Sequence, residues 1–220
     1  MKETRLKGVY QISGKIIATK NLAKGISVYG EKIFCEQGEE FREWNPFRSK
    51  LAAAIRKGIS QIGIKPGDVV LYLGASTGTT SSHVSDIVGE KGFIFALDFA
   101  PRVVRDLVWV CESRKNMTAL LEDASIPESY AGRVTEVDAI YQDIAQKDQV
   151  EILIKNCRLF LKKGGFAILC VKARSIDVTK HPKNIFKEVK KKLEKEMIIA
   201  DYRELEPFEK DHAIFICKYK

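Results

Sequence analysis

The chain has 220 residues, of which 45% are hydrophobic and 30% charged, with a formal net charge of +8. That length supports one full core, or a domain with a small extra unit, and the apolar content excludes a disordered chain. No apolar run approaches the roughly 20 residues that a bilayer helix needs, and "MKETRLKGVY" lacks a signal-peptide core. A soluble, cytoplasmic protein without membrane contact is therefore expected.

Up to about Arg48 the pattern is short β-prone pieces, "GVYQIS", "KIIATKN" and "EKIFCEQG", separated by turn residues. A small β-rich N-terminal domain is expected over 1–48, with a second domain over 49–220. In "WNPFRSKLAAAIRKGIS", Pro46 is placed to open a helix whose apolar positions, Leu51, Ala54, Ile55 and Ile59, recur at helical spacing. The chain then alternates. Strands are predicted at "DVVLYLG", "GFIFALD", "NMTALLED", "VDAIYQDI" and "GFAILCVKA", with helices over about 79–88, 101–114 and 145–162. Apolar, non-alternating strands suit a parallel sheet covered on both faces. Pro101 fits a first helical turn, and "KKGG" is expected to end the helix that starts near Ala145.

From Lys155 to Lys195 the chain carries 13 Lys/Arg against three Asp/Glu, leaving 24 against 26 elsewhere. A local positive stripe is what a phosphate backbone attracts, although "FKEVKKKLEKE" also fits the wet face of an ordinary amphipathic helix. The tail, "MIIADYREL" and "DHAIFICKY", reads as two strands joined by a loop too short for a helical crossover, hence an antiparallel hairpin. If its first strand runs parallel to the main sheet, His212 starts the second at the carboxyl edge, where open α/β sheets bind ligands. The five cysteines form no C-x-x-C pair, so free thiols are expected rather than a disulfide or zinc framework.

The stretch "VVLYLGASTGTTSSHVSD" runs from a strand through glycines into a helix, a turn where backbone approaches a ligand closely and a side chain at Gly74 or Gly78 would obstruct it. No lysine follows Gly78, as a P-loop requires. The four-residue spacing of Gly74 and Gly78 also fails the dinucleotide fingerprint. A nucleoside ligand without a pyrophosphate remains. Asp98, 24 residues after Gly74 at the end of the next strand, is placed to accept both ribose hydroxyls, and S-adenosylmethionine fits that description.

"LYLGASTGTTSSHVSD", "ALDFAPR", "DAIYQDIAQKDQ", "GGFAILCVKARSID" and the upstream "WNPFRSKLAAAI" together resemble the archaeal type of fibrillarin, the guide-RNA-directed ribose methyltransferases, over essentially the whole chain. The departures are Thr77, where the family often has Ala or Ser, and Asp98, where Glu is common. The resemblance implies an α/β, Rossmann-like methyltransferase sheet. It also implies that Thr79 and Thr80 line the cofactor turn, Asp98 and Phe99 hold ribose and adenine, Asp123 and Ala124 border the adenine edge, and Asp143, Ile144, Ala145 and Gln146 meet the methionine end. Asp123 in "LLEDAS" also fits a plain turn residue.

The same resemblance implies a catalytic set of Lys50, Asp143, Lys172 and His212. Lys172 would orient or deprotonate the 2′-hydroxyl, Asp143 would fix Lys172 and the cofactor's amino end, Lys50 would be a nearby cation, and His212 would complete the hydrogen bonds. The strand order agrees: Asp143 ends one strand, Lys172 ends the next, and His212 begins the reversed one. His83 and His181 read instead as packing and loop residues. No RNA-reading module is recognisable, so the implied partners choose the target: a box C/D guide RNA pairing with rRNA or tRNA, a Nop-family scaffold and a kink-turn-binding protein. Two other functions fit the residues, a stand-alone methyltransferase acting on another substrate such as protein, and a non-catalytic RNA-binding subunit.

Overall fold

The computed structural model describes residues 1–14 and 16–220. The N-terminal part is a five-stranded antiparallel sheet of order β1-β2-β3-β5-β4, built from β1 (Lys2–Glu3), β2 (Val9–Gln11), β3 (Ile17–Lys20), β4 (Ile33–Glu36) and β5 (Glu39–Glu43). "EKIFCEQG" is only half of a hairpin: Gln37 and Gly38 both take positive φ, reverse the chain and start β5. The charged "EEFRE" gave no strand signal, because its pairing rests on β3 and β4 rather than on its own pattern.

The C-terminal part is a seven-stranded sheet of order β11-β12-β10-β9-β6-β7-β8. Strands β6 (Val69–Leu73), β7 (Phe93–Asp98), β8 (Met117–Leu121), β9 (Val137–Gln142) and β10 (Leu161–Lys172) run parallel, as expected. The connecting helices are α1 (Lys50–Arg56), α2 (Thr79–Val88), α3 (Pro101–Glu112) and α4 (Gln149–Phe160), followed by α5 (Ala173–Ile176) and α6 (Pro182–Leu193). The tail forms the expected hairpin: β12 (His212–Tyr219) lies antiparallel between β10 and β11 (Met197–Glu204). No helix among the described residues is long and apolar enough to cross a membrane.

Both faces of the large sheet are buried. Along β6, Val70 and Tyr72 join the core shared with the N-terminal sheet and α2, while Leu71 and Leu73 join the core under α4 and α6. A continuous apolar run still alternates in direction, because a strand turns every second side chain to the other face.

Three boundaries differ from the sequence expectation. Pro46 opens no helix; α1 starts at Lys50, where the Ser49 hydroxyl accepts the Ala52 N–H at 3.3 Å, an N-cap that Pro46 cannot supply. Helix α4 begins at Gln149 rather than Ala145, since residues 143–148 form the loop at the sheet's carboxyl edge. The "KKGG" segment does not cap α4. It lies within β10, where Gly164 has a φ of 75° and the pairing with β9 shifts register between Leu161 and Phe166.

The two sheets are tied through buried charge. The Arg42 guanidinium on β5 donates to Glu31 (2.6 Å), Asp86 (3.0 Å) and Ser82 (2.9 Å), and Arg114 donates to the other Asp86 oxygen at 2.7 Å. Thr19 Oγ1 and the Leu22 N–H complete the Asp86 carboxylate. His83, on α2, is fully buried in the same seam. It lies within hydrogen-bond distance of Thr19 (2.7 Å) and Tyr29 (2.8 Å) and stacks on Trp44, so it packs the two parts together.

Candidate active site

The chain leaves β6 in one direction to build β7 and β8 and returns on its other side as β9, so the sheet's order reverses between β6 and β9. Open α/β sheets form their ligand crevice at such a point, outside the carboxyl ends. Here Gly74 follows β6 and Asp143 follows β9, joined through the Asp143 N–H and the Leu73 carbonyl at 2.9 Å. Gly74 has a φ of 81°, and a Cβ there would collide with the Asp143 carbonyl and come within 2.9 Å of Ile144 Cγ2. The glycine is therefore required by backbone meeting backbone at the floor of the crevice. Gly78 is required for another reason than ligand approach: it caps α2 with a φ of 94°, and its face packs on Leu107 and Val110 of α3.

A cleft of about 220 Å³ opens at this point. One wall is Asp98 and Phe99 after β7, the next Asp123 and Ala124 after β8, and the third the loop Asp143 to Gln146 after β9. Gly78, Thr79 and Thr80 stand outside its lining; Thr80 Oγ1 donates instead to Ser49 Oγ at 3.0 Å, fastening α2 to the N-cap of α1. Leu97, Glu122 and Ile152 also line the cleft and were missed. Ile152 was findable, because it lies in the first turn of a helix that begins at the crevice. Gln142 shapes the loop from behind by donating to the Gln149 carbonyl at 2.6 Å.

The Asp98 carboxylate is fixed by two backbone donors, Ser76 N–H on Oδ2 (2.9 Å) and Ala100 N–H on Oδ1 (3.1 Å). Each oxygen keeps capacity for a further donor, so a vicinal diol can be met by both. Phe99 beside it is 66% exposed, an aromatic face open to the cleft's mouth. Asp123 uses Oδ1 to accept the Ser125 N–H at 2.8 Å, so it is a turn residue as well as a wall of the cleft. An acidic pair of oxygens, an apolar wall and a glycine floor together fit a nucleoside with an attached amino acid.

Beside the cleft, Lys50 at the start of α1 donates to Asp143 Oδ2 at 2.8 Å, a pair formed across 93 residues and about one-quarter exposed. Burial pushes the Lys50 ammonium down, but attraction to Asp143 outweighs it and holds the group above its ordinary value, so it stays charged. This ion pair replaces the expected one between Asp143 and Lys172: Lys172 is exposed and has no ion pair or side-chain hydrogen bond among the described residues. The β10–β12 register does set Lys172 directly opposite His212.

His212 Nδ1 lies 2.7 Å from the Lys210 carbonyl, which can only accept, so Nδ1 carries the proton and Nε2 is the acceptor of the neutral ring. Burial lowers the ring's pKa, a change that the Lys210 contact opposes and the Lys50 charge reinforces. Behind the pair, Cys170 lies 3.0 Å from the Tyr141 hydroxyl, and Tyr141 stacks on Tyr72. His181 caps α6, its Nδ1 accepting the Lys183 N–H at 3.3 Å.

Comparison with known proteins places this geometry. The fibrillarin family matches residues 1–220. A "fibrillarin-like rRNA/tRNA 2′-O-methyltransferase" of Thermococcus gammatolerans is 50% identical over 222 residues, covering 99% of this chain and 98% of that one. The crystal structure of Aeropyrum pernix fibrillarin with natively bound S-adenosyl-L-methionine superposes with a TM-score of 0.89 at 46% identity, over 98% of this chain and 96% of that one. A fibrillarin/Nop5p complex gives a TM-score of 0.90 at 42% identity, over 99% of this chain and all of its counterpart. Matched end to end in sequence and over nearly its full length in fold, the chain belongs to the fibrillarin family.

Proposed function

We propose that the chain transfers a methyl group from S-adenosylmethionine to a ribose 2′-hydroxyl in rRNA and tRNA, at nucleotides chosen by a box C/D guide RNA. The observation that carries this is the Lys50–Asp143 ion pair at the lip of the Asp98 cleft, at the point where the sheet's order reverses. Asp98 would hold the ribose diol of the cofactor, Phe99, Ala124 and Ile152 its adenine, and the Asp143–Gln146 loop its amino acid end. When bound, that group supplies an electrophilic methyl on a sulfonium.

The rest is the chain's own work. Lys50 is held charged by Asp143 and does not accept the hydroxyl proton; it fixes the Asp143 carboxylate and presents a cation to the substrate. The groups able to orient the hydroxyl or take its proton are Lys172, exposed at the end of β10, and the neutral Nε2 of His212 opposite it. The cleft accommodates the cofactor but offers nothing that reads bases. The assignment of target choice to a guide RNA, a Nop-family scaffold and a kink-turn-binding protein follows from that, with the relative seen bound to Nop5p in support.

Labelled S-adenosylmethionine binding, followed by methyl transfer to RNA with and without the reconstituted particle, tests this. One guide-defined ribose should be methylated, and shifting the guide by one nucleotide should move the mark by one. Equal methylation of that ribose by the isolated chain would instead favour a stand-alone enzyme.

A further inference from the structure

Two aromatic rings flank the transfer centre and have no part in the cofactor cleft. Phe47, three residues before Lys50, is 62% exposed, and its ring meets that of Phe208, four residues before His212, edge to face at 5.2 Å and 68°. Phe47 is held by its backbone, whereas Phe208 is half-buried and also packs against the core. The Phe47 N–H donates to Asn45 Oδ1 at 2.9 Å, and the Phe208 N–H to the Leu205 carbonyl at 2.9 Å. The next residue, Glu209, lies 3.9 Å from His212 Nδ1, so this loop forms one side of the centre and the segment leading into α1 forms the other. Arg48, Lys172 and Lys210 are exposed on the same two segments and the adjoining strand end, beside Glu206, Glu209 and an Arg174 whose charge is paired with Asp211.

We propose that Phe47 and Phe208 form a stacking platform for a nucleobase of the substrate strand, at or next to the ribose being methylated. The inference rests on the ribose-methylating function proposed above. A 2′-hydroxyl brought to Lys172 and His212 carries its base within one nucleotide's reach, and the exposed Phe47 ring, backed by the half-buried Phe208, accepts any base because every base has a π-face. Cationic side chains around it suit the flanking phosphates. Such a platform is indifferent to sequence, as an enzyme whose target is chosen by a guide requires. Phe47 and Phe208 are thus positioning residues for the substrate.

The test uses the particle reconstituted with scaffold, kink-turn protein and guide RNA, and a target RNA bearing 5-iodouridine at the modified nucleotide or at either neighbour. Irradiation should cross-link one of these positions to Phe47 or Phe208, whether or not methyl transfer occurs, so the platform and the methylation reading fail separately. Phe47→Ala should raise KM for target RNA on the order of tenfold, with S-adenosylmethionine affinity and melting temperature unchanged, and Phe47→Trp should retain the wild-type KM. Cross-links confined to other residues, or an unchanged KM in Phe47→Ala, overturn the proposal. Loss of scaffold binding by Phe47→Ala would also overturn it, by making this face a protein contact.

Discussion

Asp86 is the residue whose loss the structure makes most costly. Its carboxylate has no exposed surface and accepts four donors: Thr19 Oγ1 (2.7 Å) and Arg42 Nη1 (3.0 Å) on Oδ2, Arg114 Nη1 (2.7 Å) and the Leu22 N–H (3.2 Å) on Oδ1. Asp86→Asn keeps the shape but turns one oxygen into a donor facing donors, and among the described residues it leaves Arg42 with Glu31 and Arg114 with no ion pair. Breaking a buried pair from one side costs about 3–5 kcal/mol. At roughly 2–4 °C per kcal/mol for a chain of this size, the melting temperature should fall by about 6–20 °C. Calorimetry at low and high salt should give the same loss, since buried charges are little screened. Arg114 Nε and Nη2 are themselves buried without partners among the described residues, so Asp86→Asn combined with Arg114→Met restores the charge balance and should be less destabilised than the two single variants summed. A single-variant loss below about 1 kcal/mol, the range of surface pairs, would refute the view that this seam welds the N-terminal sheet to the rest.

Asp98→Ala should weaken S-adenosylmethionine binding by about 1.5–3 kcal/mol through lost charge-assisted hydrogen bonds; unchanged affinity by calorimetry removes Asp98 from the site. Lys172→Ala should leave melting and cofactor binding intact, because the side chain is exposed and unpaired, while lowering single-turnover methylation by about 10²–10⁴. Retention of most of the rate would return Lys172 to an ordinary surface lysine. Asp143→Asn removes the attraction that outweighs burial at Lys50, so the ammonium's pKa should drop and its labelling by acetic anhydride at mildly alkaline pH should speed up; unaltered labelling would contradict the pairing. Burial holds His83 and His212 below the ordinary imidazole value. The unfolded chain therefore binds more protons than the folded one below about pH 6.5, and stability should fall as pH drops through that range. Urea midpoints at pH 7 and pH 5 measure this, and the difference should shrink in His83→Gln.

The elements of the large sheet, the glycine turn and the reversed last strand were legible from local pattern alone. Apolar runs such as "VVLYL" and helical spacings such as that of α6 are local periodicities, and the seven residues between β11 and β12 cannot carry a crossover, so chain length alone made these strands a hairpin. Asp98 was legible because its distance from Gly74 is set by one strand–helix–strand unit. The pairings between distant segments lie beyond any local window. Lys50 pairs with Asp143 across 93 residues, and neither flanking sequence marks it. Strand β5 exists because β3 and β4 offer it ladders on both sides, which its charged pattern did not announce. Arg42, Asp86 and Arg114 are buried because the fold brings opposite charges and donors together in one place, which no local pattern marks. Periodicity records which face of an element is apolar, whereas the partner across that face is set only when topology closes the chain on itself.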